Sequence, residues 1–306
     1  MTVIIPTKNR KELLIEVLDR LLSQAYKLEE KVEIIVIDDG STNDVRTTLE
    51  ENLLLHCEKG AVHYFYQDAK GPAAARNLGV KKATGEIVLF IGDDILPLEG
   101  FLKQHLLAHF DEHPEENIAI LGLADIAPEF CDSPFTDWWR RWNFRYHRLL
   151  NDGLEPDFSF FFTNNLSLKR SFLLKNGLFD ESFQYAAYED TELSVRLVAK
   201  GLKIIFKPEA EAEHYHKIDL QNACKRMITR GRAYDLYRDK TKRLGISRLW
   251  TLLGNGPWMA PLLIRALYHF ADWLQTRGII SWVYIIVLMY GFQVGRGRKP
   301  LIPEIS

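Results

Sequence analysis

An α/β fold with a doubly wound, largely parallel sheet is what this sequence predicts, on three observations. Short apolar runs recur along the first third of the chain, at Thr2–Ile5, Val32–Ile37, Val62–Tyr66 and Ile87–Ile91. Such continuous runs are the mark of strands buried on both faces. Between the first two, Leu13, Leu14, Val17, Leu18, Leu21 and Leu22 recur at helical spacing, and parallel strands need such a crossover. Each run then ends in polar residues, as expected where ligands bind beyond the carboxyl ends of the strands.

Taken in order, the first strand closes at Pro6 and gives way to the polar loop Thr7-Lys8-Asn9-Arg10. The second strand ends in Asp38-Asp39-Gly40-Ser41-Thr42, where the carboxylates suit ribose hydroxyls or base N–H groups, or simple turn chemistry. After the third strand, Gly71-Pro72-Ala73-Ala74-Ala75-Arg76-Asn77 opens a helix of small residues. Arg76 there could grip a base edge, a phosphate or a surface carboxylate. The fourth strand, Ile87–Ile91, stops at Gly92-Asp93-Asp94. Two adjacent carboxylates on a sheet rim read as a site for Mg²⁺ or Mn²⁺ bridging to a phosphate, or as a solvated turn.

Composition bounds the function. The chain has 306 residues, 47% hydrophobic and 26% charged, with a net charge of -2. That is a globular protein with no general basic field for nucleic acid. Cys57, Cys131 and Cys224 are too far apart for a metal motif, and a reducing compartment is the economical expectation. Met1 leads straight into a strand, so no signal peptide is expected.

The ordered set of Ile5-Pro6-Thr7-Lys8-Asn9-Arg10, Ile37-Asp38-Asp39-Gly40-Ser41, Gly71–Asn77, and Gly85–Phe90 with Asp93-Asp94 resembles family 2 glycosyltransferases, inverting enzymes of the GT-A fold. The resemblance continues through Asn165–Arg170, Gly177–Asp180 and Tyr188–Leu193, covering roughly residues 1 to 216. It implies a Rossmann-like GT-A sheet flanked by helices, with a nucleotide-sugar half over residues 1–108 and an acceptor half over 109–216; the residues beyond read as a helical hydrophobic extension over 217–306. It also implies that Thr7, Asn9, Arg10, Asp39 and Arg76 line the nucleoside pocket of a sugar nucleotide, by default a uridine diphosphate sugar. Asp94 would ligate a divalent cation, Mg²⁺ or Mn²⁺, with Asp93 beside it. Asp190, next to Glu189, would be the base that deprotonates an acceptor hydroxyl. Family members often carry three acids where this chain has Gly92-Asp93-Asp94, so the contact of the first acid is missing here.

Bare residues leave some of this open. Glu189 and Asp190 open the amphipathic stretch Leu193, Val195, Leu197, Val198 and could equally cap a helix. Either His214 or His216, after the strand from Lys203, could complete a cation's shell, and the reading favours His214. Asp137-Trp138-Trp139-Arg140-Arg141-Trp142 through Arg148 suits sugar stacking, a membrane interface or plain packing. From Pro261 to Arg277 the polar residues Arg265, His269, Asp272 and Thr276 form one narrow stripe, and Gly278 to Gly295 carries no charge before Arg296, Arg298 and Lys299. That tail reads as a membrane-surface hairpin, a short single span, or a helix buried against protein. Attachment to the inner face of the membrane, from the cytoplasm, is the preferred expectation, with a saccharide or lipid-linked saccharide as acceptor. Two rival classes are an idle sugar-nucleotide-binding scaffold and a sugar-1-phosphate nucleotidyltransferase. The latter would lead one to expect a glycine-rich phosphate loop after the first strand, and Pro6–Arg10 has no glycine.

Overall fold

A computed structural model describes residues 1–53, 62–242 and 281–297. The chain forms two compact units. The first comprises residues 1–126, 145–184 and 189–215; the second, residues 127–144, 185–188 and the chain from 216 on.

The first unit is built on an eight-stranded mixed sheet in the order β3-β2-β1-β4-β7-β6-β8-β5. The strands are β1 (Thr2–Thr7), β2 (Glu33–Asp39), β3 (Val62–Gln67), β4 (Ile87–Ile91), β5 (Ile95–Pro97), β6 (Ile118–Ile126), β7 (Asn165–Lys169) and β8 (Lys203–His214). β1 runs parallel to β2 and β4, β2 parallel to β3, and β6 parallel to β8. β7 is antiparallel to both β4 and β6, and β5 is antiparallel to β8. The expected α/β architecture is therefore present, and its four predicted strands form one parallel block. β1, β2 and β4 are apolar throughout their centres because both faces are covered: Val3, Ile4, Ile5 and every residue of β4 are fully buried. Helix α1 (Lys11–Lys27) covers one face with Leu14, Val17, Leu18, Leu21 and Leu22, the spacing that the sequence displays. Helices α2 (Val45–Leu53), α3 (Pro72–Lys82) and α4 (Phe101–Leu107) follow in the same unit. So do the short α6 (Tyr146–Asn151) and α7 (Arg170–Asn176), and α8 (Glu189–Val198).

The second unit contains α5 (Pro134–Asn143), α9 (Leu220–Thr241) and α10 (Ser281–Gly295). Ser133 and Asp219 cap α5 and α9, accepting from the backbone N–H groups of Thr136 and Asn222. Trp138 and Trp142, one turn apart on α5, stack at 5.6 Å with planes 9° apart, and Tyr284 of α10 packs on Phe135 and Trp138. Arg140 and Arg141 turn back onto Asp137 of their own helix. α9 and α10 touch backbone to backbone. A Cβ on Gly231 would lie 2.0 Å from the Phe292 carbonyl oxygen, and one on Gly295 would lie 1.9 Å from that of Ile228, so only glycine permits this approach. Arg296 is held there by Asp235 (Nη2 to Oδ1, 2.8 Å) and lies over the Tyr234 ring. Its side chain is 10% exposed, so it serves helix packing and is not displayed as the free basic flank that the sequence reading assigned to it. The striped segment Pro261–Arg277, together with Cys57, Arg298 and Lys299, lies outside the described residues. Among the described residues no helix is long and apolar enough to cross a membrane.

Candidate active site

The carboxyl ends of β1 and β4 lie side by side because the two strands pair in parallel, Ile4 opposite Phe90. β1 thus delivers Thr7 and the following Arg10 to the same rim where β4 delivers Asp93 and Asp94. The Thr7 hydroxyl donates to Asp93 Oδ2 at 2.8 Å. Arg10 Nη1 bridges both carboxylates, 3.0 Å from Asp93 Oδ1 and 2.6 Å from Asp94 Oδ2. β8 completes the cluster. Its last residue, His214, pairs with Ile95 of β5 and Ile126 of β6, which sets His214 Nε2 3.4 Å from Asp94 Oδ2. The next backbone N–H, of Tyr215, donates to the Asp94 carbonyl at 2.7 Å.

Burial and crowding of like charge dominate the electrostatics here. Asp93 is 7% exposed. Burial, and then the neighbouring Asp94 charge, push its carboxyl up to about 6 against the pull of Arg10. Burial works against the Arg10 charge, but Asp94 and Asp93 outweigh it and hold the guanidinium more firmly protonated than usual. A concentrated negative site that already draws one cationic group is chemically suited to a divalent cation.

The β1–β2 edge supplies the second group. Asn9, at φ 58°, ties two loops together: its N–H donates to Ser41 Oγ, and its Oδ1 accepts from the Thr42 N–H at 2.7 Å. Asp38 accepts from the Ser41 N–H and the Tyr64 hydroxyl. Asp39 accepts from Gln67 Nε2 and Lys70 N–H on one oxygen and from the Gly71 N–H on the other. A carboxylate offers about four acceptor sites, so Asp39 keeps capacity for one more donor. Tyr64 and Gln67 were not singled out from the sequence. For Gln67 the signal is strand register, Asp39 opposite Gln67, which composition does not reveal; Tyr64 stands opposite Val36 and reaches Asp38 diagonally.

A third group lies at the start of α8. Arg76 Nη1 is 2.9 Å from Glu189 Oε1, with both side chains nearly fully buried, and its guanidinium lies 5.5 Å from the Phe179 ring centroid. Arg76 is thus brought to Glu189 and not to the cluster of Thr7, Arg10 and Asp93. Burial, then the adjacent Asp190, push the Glu189 carboxyl up to about 7 against the pull of Arg76. Asp190 is half-buried, and its Oδ1 accepts from the Thr191 N–H at 2.6 Å and the Thr191 hydroxyl. Acids in this first turn are favoured by the helix dipole.

The family model for glycosyl transferase family 2 matches residues 2–177. Glycosyltransferase YfnE of Bacillus subtilis, itself uncharacterised, is 27% identical over 256 residues, a match covering 70% of this chain and 64% of that protein. The chain spans less than two thirds of the length of the curated relatives it matches. Among solved structures it resembles the mannosyltransferase PcManGT of Pyrobaculum calidifontis, determined in complex with GDP-Man and Mn²⁺. The TM-score is 0.67 at 19% identity, over 97% of this chain and 86% of that one. It also resembles residues 1–349 of TarS from Staphylococcus aureus in complex with UDP, at a TM-score of 0.53 and 17% identity, over 97% and 90% of the two chains. These structural likenesses concern the fold. With the family match over more than half of its length, the chain belongs to glycosyltransferase family 2.

Proposed function

We propose that this enzyme transfers a sugar from a nucleoside diphosphate sugar to a hydroxyl group of a saccharide or lipid-linked saccharide, inverting the anomeric carbon with divalent-cation assistance. The observation that carries the reading is the cluster of Thr7, Arg10, Asp93, Asp94 and His214 at the carboxyl ends of the central strands, the place where open α/β sheets take ligands. Uridine diphosphate is the nucleotide we assign, by the resemblance and by the complex of TarS; PcManGT makes guanosine diphosphate the comparison to run.

The donor set fits the cation. Among the described residues no cage of three or more His, Cys, Asp or Glu side chains is formed. Asp94 Oδ2 and His214 Nε2 nevertheless lie 3.4 Å apart, with Asp93 adjacent and Arg10 on the same oxygen. One or two protein ligands with the rest of the shell left to phosphate oxygens and water is the usual arrangement for such ions at phosphate sites. When bound, the ion would stabilise the charge that develops on the departing diphosphate.

The chain's own residues do the rest. Arg10 brings a guanidinium, suited to bidentate phosphate contact, to the same rim. Asp39 offers its remaining acceptor site to a base N–H or a ribose hydroxyl, while Asn9 holds the two flanking loops in register. Asp190 takes the proton from the acceptor hydroxyl, and Glu189 locks the start of α8 onto Arg76 so that the base is held in place. Inversion needs one such base on the face opposite the leaving group. The acceptor is brought by a membrane surface: α10 is apolar, with Ile285 41% exposed, and Lys225 and Arg232 of α9 are exposed basic residues.

The test is incubation of the purified protein with a panel of nucleotide sugars and Mn²⁺, followed by NMR of the anomeric proton of the product. Turnover of a UDP-sugar with inversion is expected. Retention of configuration would overturn the mechanism, and turnover of GDP-sugars alone would overturn the nucleotide assignment.

A further inference from the structure

Asn165-Leu166-Ser167-Leu168 stands in the sequence as a motif without a chemical role, and the structure gives it one. β6 and β8 run in parallel register from Ile118↔Lys203 to Gly122↔Lys207, then again from Leu123↔Glu211 to Ile126↔His214. Three extra residues of β8, Pro208, Glu209 and Ala210, are therefore accommodated against a single step of β6. An unbroken ladder from Gly122↔Lys207 would carry Glu211 to Ile126. The bulge brings His214 there instead, and with it an imidazole beside Asp94.

Asn165 closes the break. Its Nδ2 donates to the carbonyls of Leu123, at 3.0 Å, and Ala210, at 2.8 Å, one on each strand where the ladder shifts. Gly122 makes room, because a Cβ there would lie 2.3 Å from both the Ala210 oxygen and Asn165 Nδ2. The Asn165 amide is in turn oriented by histidines. Its Oδ1 needs a donor, and the group in reach is His105 Nε2 at 2.8 Å, so that nitrogen carries the proton. His105 Nδ1 then accepts from the Ser167 hydroxyl at 2.8 Å, and Ser167 Oγ accepts from His109 Nε2 at 2.9 Å. The direction of each hydrogen bond from His109 Nε2 to Asn165 Oδ1 is thereby assigned, with all four residues fully buried and His109 Nδ1, the far end of this hydrogen-bond chain, left without a partner among the described residues. Burial keeps both imidazoles neutral, pushing His105 down to about 4 and His109 to about 3, as the hydrogen-bond chain requires.

We infer that Asn165, oriented by His105, Ser167 and His109, is a positioning residue that fixes the β8 bulge and so selects His214 as the side chain facing Asp94. The inference rests on the reading of His214 as a cation ligand proposed above.

The experiment is a double-mutant cycle on Mn²⁺ binding to the full-length protein, read by the electron paramagnetic resonance of free Mn²⁺ at a temperature where all variants are folded. His214→Ala should weaken binding, and Asn165→Ala should weaken it about tenfold, the range of supporting residues around metal ligands. In the His214→Ala background the Asn165 substitution should have less than a twofold further effect. Equal weakening in both backgrounds, or none in either, overturns the inference. If His214→Ala alone leaves Mn²⁺ binding unchanged, the ligand reading fails and takes the inference with it. Should Asn165→Ala not fold, imidazole ¹H–¹⁵N spectra of the unmodified protein decide: His105 protonated on Nε2 supports the chain, and His105 protonated on Nδ1 overturns it.

Discussion

Glu189→Gln tests the buried pair at the start of α8. Glu189 is 3% exposed, and burial, with Asp190 beside it, carries its carboxyl from 4.5 to about 7 despite Arg76. The folded protein therefore holds a proton on Glu189 over a pH range in which the unfolded chain has released it. Stability gained from this group is complete below 4.5 and is lost as pH rises through 7. At 1.36 kcal/mol for each tenfold change in proton affinity, the loss is about 3 kcal/mol across that window. Glutamine has nearly the same shape and does not titrate, so the variant lacks this slope. Thermal unfolding at pH 4.5 and at pH 8 measures it. Between these two pH values the midpoint of the unmodified protein should fall by several degrees relative to the variant, since each kcal/mol moves the midpoint by about 2–4 °C in chains of 150–250 residues and by less in a longer one. Parallel curves would show that Arg76 holds Glu189 ionised throughout. The buried pair would then be a plain ion pair, and the electrostatic account of this helix start would be wrong.

Three further outcomes are expected. Asp94→Ala should abolish donor turnover in a protein that unfolds at close to the same temperature, and EDTA should do the same to the unmodified enzyme, reversibly with Mn²⁺ or Mg²⁺; full activity in excess chelator removes the cation from the mechanism. Asp190→Asn should lower turnover by about 10²-fold or more while UDP affinity, followed by calorimetry, barely changes; a normal rate at saturating acceptor would leave Asp190 as a helix-start residue only. In flotation with anionic liposomes, the full-length protein should rise at low salt and less so at high salt; a protein that stays at the bottom in both makes α10 a packing helix and a soluble acceptor the better assignment.

The parallel block of the sheet was legible because strands buried on both faces advertise themselves as unbroken apolar runs. Ile87–Ile91 appears in the structure with the bounds read from the sequence. β6 and β7 were not legible in the same way. β7 reads Asn-Leu-Ser-Leu-Lys, every residue of it buried, and its polar positions are satisfied by distant groups: Ser167 and Asn165 by His105 of α4 and His109 of the turn that follows it, Lys169 by Glu86. No local pattern announces such a partner. The same holds for Arg76. Its neighbours in the sequence place it near a nucleotide-binding loop, yet its guanidinium lies on Glu189, 113 residues away. Sequence fixes which groups can act, but their assignment follows from which opposite charge or acceptor the topology brings within 3 Å.

That distinction also bears on the two acids at the end of β4. Asp93 and Asp94 are adjacent, yet they are held differently. Thr7 and Arg10 both donate to Asp93, which leaves it little freedom to turn outward. Asp94 meets Arg10 and His214 on one oxygen, Oδ2, at 2.6 and 3.4 Å. A carboxylate shared by a movable guanidinium and an imidazole on a rigid strand end can exchange its cationic partner without moving itself. Arg10, 41% exposed along its side chain, is the component free to leave. On that argument we propose that Asp94 carries the metal chemistry and Asp93 the shape of the site. Asp93→Asn should therefore spare more Mn²⁺ affinity than Asp94→Asn does, and equal losses in the two variants would refute the division of roles.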